Sequence, residues 1–362
     1  MDSKHSEPSP LESLPVELVR LILSALPDVI SLQTAILSSP TFYRPFVRAQ
    51  SAITSHVLLQ QIDATVLPDA VLAVSASRLQ TCDETDRLEL VREFSRKSLG
   101  DKAMLPKTWP LQEAVAIAKL HVYVDGFAHK FAAATLTEPP FAPAESSPMP
   151  TQQESLRIHR ALYRFETYRH LFRVAPDALR LDSLQLFFRH YSTFENEQLA
   201  CIHDFFARAV LLSLIGKVSD GTFETTINSP LVQNLLLLGL EGLHNAIYRV
   251  PGNLFADLPP GADLFRPQSF LYAGLCYAND SEIHITLNEM SPQLQELHIR
   301  KPFFADPDSG PLEAWKWAYL EEMGMEFVFN RARRSLRRWG YVLWDRWRLD
   351  DIGVLEEPFE PW

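Results

Sequence analysis

Cys201 and His203 carry the atoms of a metal pair. On a helix, however, two positions mean about 200° of rotation, so their side chains leave opposite faces and cannot chelate one ion. Glu166 and His170, four apart, share a helical face, where a surface hydrogen bond or ion pair is what the spacing ordinarily produces. Asp280, Glu282 and His284 would project from one side of an extended segment and have the chemistry to bind a divalent metal. A solvated strand face accounts for them as well, since no further histidine or carboxylate stands at a supporting spacing. The run Arg331–Arg338 (RARRSLRR) holds five arginines in eight residues, the pattern of a nucleic-acid patch or nuclear-import signal. Phe329, Ala332, Leu336, Trp339, Leu343 and Trp347 continue through it as one apolar stripe. That makes the arginines the wet face of an amphipathic helix, with Asp350, Asp351, Glu356, Glu357 and Glu360 as counter-charges.

None of these groups assembles a site by local spacing. The glycine-serine elbow, the phosphate-binding glycine-lysine loop, the dinucleotide glycine turn and the HExxH zinc helix do not occur in the sequence. These residues therefore point away from an enzyme, with no catalytic residue, metal or cofactor expected. The net charge of −11 argues against general attraction to nucleic acid or anionic membrane. Three widely separated cysteines, Cys82, Cys201 and Cys276, make no disulfide framework, which fits a reducing compartment, cytoplasmic or nuclear. The first thirteen residues lack the apolar stretch of a secretory signal, and runs such as Leu235–Leu240 are far shorter than the ~20 residues of a membrane span.

The elements that must position any site read as mostly α. Leu111, Val115, Ala118 and Val122 recur at helical spacing within Leu111–Leu136, after Pro110. In Glu154–Phe172, Ile158, Leu162, Phe165, Tyr168 and Phe172 line one side and Arg157, Arg160 and Arg164 another. Asn196–Gly216 is apolar over a broad face through Leu199, Ile202, Phe206, Val210 and Ser213, as a buried central helix would be, and Leu231–Tyr248 repeats the idea. Glu84–Ser98 is a further amphipathic candidate, and Glu282–Leu287 alternates like a short strand. The five prolines in Thr137–Gln153 mark a linker or long exposed loop. The expected layout is a disordered tail over 1–10, a three-helix module over 11–50 and an α-helical body over 51–362, with the proline-rich segment at 137–153.

The module carries the clearest pattern. Pro15 stands where a helix start tolerates it, Glu17 faces the positive end of the helix dipole, and Leu14, Leu18, Ile22 and Leu26 form a stripe widened by Leu21 and Ala25. Pro27-Asp28 ends that helix. A second would carry Leu32, Ala35 and Ile36, and Ser39-Pro40 would cap and open a third with Phe42, Tyr43 and Phe46. About forty residues have too little interior to bury all of these, so some must pack on the body or on a partner.

Leu14-Pro15-x-Glu17-Leu18, Ile22-Leu23, Leu26, Asp28, Leu32 and the closing Phe42-Tyr43 resemble an F-box. Near its end an F-box usually has a serine followed by a basic residue, where this chain has Ser38-Ser39-Pro40. The layout, with Ser39-Pro40-Thr41-Phe42-Tyr43 and Arg338-Trp339-Gly340-Tyr341, also resembles uncharacterised F-box-like proteins of filamentous fungi. The resemblance implies docking on the Skp-type adaptor of a cullin-RING ubiquitin ligase through Leu14, Pro15, Glu17, Leu18, Ile22, Leu26 and Leu32, with the body presenting a surface to a substrate protein. The alternative is an amphipathic hairpin that packs only on its own domain, in a helical structural or interaction protein.

Overall fold

The computed structural model describes residues 13–79, 109–141, 149–172, 187–214, 229–249, 286–299, 306–321 and 333–356, with a few isolated positions between them. Among these residues the protein is helical throughout, without a strand. The tail at 1–10, most of Glu84–Ser98, Asp280–Ile285 and the acidic positions after Glu356 lie outside the described residues.

The chain opens with α1 (Val16–Ser24), α2 (Val29–Ser38) and α3 (Pro40–Gln61). The caps follow from the sequence. Asp28 Oδ1 accepts from the Ser31 amide at 2.7 Å to start α2, and Ser39 Oγ accepts from the Thr41 amide at 3.1 Å to start α3. α3 runs well past residue 50, and Gln61 near its end accepts from the Val29 amide, tying it back to the start of α2. It bends at Ala49, whose φ of −133° leaves the helical region.

Both α1 and α2 pack on α3, and α2 and α3 pack in turn on α5 (Leu111–Thr135). The module's inner residues thus join the same apolar core as the body, and α1 is its outermost layer. Within α5, Val115 and Ala118 are buried as the spacing predicts, but Val122 faces solvent because the helix turns its Ala114–Ala118–His121 edge inward.

α6 (Gln152–Phe172) is the centre of the body, packed by α4 (Leu67–Arg78), α5 and α7 (Thr193–Leu214). Each end of the proline-rich segment is anchored: Phe141 packs edge-on to Trp339 and Trp344, and α6 begins directly beyond. Residues on both sides of that segment share one core. α6 and α7 each start with a capping box. Thr151 and Glu154 bond each other's amides at 2.8 and 3.1 Å, and Ser192 and Glu195 do the same at 2.9 and 3.3 Å.

The arginine side of α6 corrects the amphipathic reading, because Arg157, Arg160 and Arg164 are buried. Arg157 donates to Asp306 at 2.6 and 2.8 Å and to Asp345 at 2.6 Å. Arg164 lies between Asp69 at 3.3 Å and Glu195 at 3.0 Å, with its guanidinium over the Tyr191 ring. Burial opposes the charge on both arginines, but the flanking carboxylates outweigh it and hold the protons on. Apolar sequence pattern cannot foresee this, because a counter-charge brought in by tertiary packing makes a buried guanidinium tolerable.

The segment predicted as one helix over Leu231–Tyr248 is broken into α8 (Pro230–Leu236), α9 (Gly239–His244) and a π-turn at Asn245–Arg249. The break falls at Gly239, whose φ of +73° an L side chain rarely adopts. α10 (Pro292–Ile299) and α11 (Gly310–Tyr319) lean on α7. The carboxy-terminal stripe is also shorter than expected: α12 covers only Arg334–Arg338, Gly340 at φ +69° turns the chain, and α13 follows at Arg346–Asp351. Leu336, Trp339 and Leu343 are buried, whereas Trp347 is exposed.

Candidate docking interface

α1 presents apolar residues on two flanks. Val19 and Leu23, 1% and 0% exposed, form its buried side. Leu18, Leu21 and Ile22 keep 45%, 65% and 40% of their surface open. With Ala25 they lie within about 100° of the helix circumference, so they form a single stripe. Covering that remaining apolar area with a partner would contribute on the order of 2–4 kcal/mol.

Of the residues the motif singles out, Pro15, Glu17, Leu18 and Ile22 are outward, and Leu14 and Leu26 sit half-buried at the edges of the stripe. Leu32 is a correction. It is 0% exposed, because α2 turns Val29, Leu32 and Ile36 together onto its neighbours, so Leu32 belongs to this chain's core and presents nothing to an adaptor. Asp28, part of the motif, is occupied as the α2 cap, bonded by both the amide and hydroxyl of Ser31.

The pattern did not single out Leu37 and Val47, which are also exposed on the module; Val47 shares a face of α3, at four-residue spacing, with Tyr43, the motif's closing aromatic, which is exposed too. Arg20 reaches from α1 to the Pro45 carbonyl at 3.4 Å, fixing the outer helix against α3 beside this surface.

The other candidate groups turn inward. Cys201 and His203 are both fully buried; His203 is bonded to Asp204 at 2.9 Å and Gln233 at 3.1 Å, and burial pushes the Cys201 thiol well above its usual range. Glu166 does pair with His170, at 3.1 Å, but in the interior and together with Arg169 and the Leu240 amide. Although burial opposes its charge, those partners hold the Glu166 carboxyl below the usual range. Asp280, Glu282 and His284 lie outside the described residues.

The arginine run divides. Arg337 is buried against Glu197 at 2.7 Å, and Arg338 is exposed and paired with Glu138 at 2.8 Å. The counter-charges of Arg337 and Arg338 thus come from α7 and the turn after α5, and Asp350 of the expected acidic tail pairs with Arg346.

Sequence reading also passed over His121, Asp125 and His129, which share one face of α5 at four-residue steps. Asp125 stands 3.7 Å from His129 and 3.4 Å from His159 of α6, while His121 bonds the Tyr163 hydroxyl at 2.9 Å. Among the described residues no group of three ligating side chains is arranged to hold a metal ion, and no helix is long and apolar enough to cross a membrane. No protein-family model, no curated protein and no solved structure matches the chain.

Proposed function

We propose that the protein is an F-box-like interaction adaptor whose α1 docks on a Skp-type adaptor of a cullin-RING ubiquitin ligase, while the helical body recruits an as yet unidentified substrate protein. One observation carries the reading. The LPxEL start of the motif lies on a helix whose second apolar flank, Leu18, Leu21 and Ile22, is left open after its first flank has been buried. A helix that only packed on its own domain needs one apolar flank; here Val19 and Leu23 already supply it. Recognition would be helix-in-groove, with Leu18 and Ile22 as anchors and Pro15 and Glu17 at the rim. In this role the protein itself carries out no bond chemistry.

The test is a direct one. The full chain mixed with a purified Skp-type adaptor is expected to co-elute as a one-to-one complex in size-exclusion chromatography. Separate elution at concentrations well above those of typical adaptor complexes would leave the hairpin as internal packing.

A further inference from the structure

We draw no further inference here: the strongest candidate, the groove between α2, α4, α5, α6 and α9 lined by Lys119, Tyr123, Glu166, Arg169, His170 and Glu241, carries nothing, because Glu166 is closed on Arg169 and His170, Glu241 accepts from Tyr123, and nothing among the described residues shows what covers its apolar floor.

Discussion

Arg348 near the end of the described chain closes on Glu154 at the start of α6 through two hydrogen bonds of 2.8 Å, across 194 residues of sequence and almost out of reach of water. Glu154 also caps α6 through the Thr151 amide and accepts from the Asp345 amide at 3.0 Å, so one carboxylate joins helix start, carboxy-terminal turn and ion pair. Glu154→Ala leaves a buried guanidinium and two amides without their acceptor. A loss of about 3–5 kcal/mol in urea unfolding is expected; a loss below about 1 kcal/mol would show that the pair does not hold the carboxy-terminal segment in place.

Stability is expected to fall as the medium is acidified from pH 7 toward pH 4. Burial lowers the pKa of both His121 and His190 to about 4, against about 6.5 in the unfolded chain. Between those values the unfolded state binds more protons than the native state. The contribution is therefore complete above the unfolded pKa and is lost on the way down to the folded one. Each histidine adds a slope of up to about 1.4 kcal/mol per pH unit in that window. Unfolding free energies measured at pH 7, 6 and 5 check this, and His121→Asn should flatten the slope. A stability independent of pH over this range would contradict the buried, neutral state of both rings.

Gly239→Ala is expected to cost about 1–3 kcal/mol. Its φ is +73°, and an added Cβ would stand 2.8 Å from both Arg169 Nε and Glu166 Oε1. Neither neighbour can yield cheaply, since Arg169 Nε donates to the Leu237 carbonyl and Glu166 accepts from the Leu240 amide. Denaturant midpoints of the two proteins give the comparison, and an unchanged midpoint would mean that the α8–α9 turn relaxes freely.

Much of the helical framework was legible in the sequence for local reasons. Leu111–Leu136 is read almost to the residue, because Pro110 and the apolar spacing act within the segment. Asp28 and Ser39 announce the starts of α2 and α3 through their own caps. What pattern missed depends on distant partners. Arg157, Arg160 and Arg164 read as a wet face because their counter-charges Asp69, Glu195, Asp306 and Asp345 come from other parts of the chain.

The same holds for the candidate sites. Leu18 and Ile22 were legible as a stripe, but which flank of α1 is buried is settled only by α3, and Leu32 could not be told from a surface anchor until α5 was in place.

Leu18→Asp combined with Ile22→Asp, set beside Leu32→Asp, separates the exposed stripe from the core beneath it. The double variant changes positions that keep 45% and 40% of their surface open and should leave the chain folded with a modestly lowered melt, whereas Leu32→Asp buries a charge and should unfold the module.

The most direct measurement is affinity capture of a Skp-type adaptor by the native chain and by the Leu18→Asp, Ile22→Asp variant, with both melts recorded. The account predicts that the native chain retains the adaptor and that the folded double variant loses it by at least about tenfold. Failure of the native chain to retain the adaptor, or equal retention by the folded double variant, would contradict it.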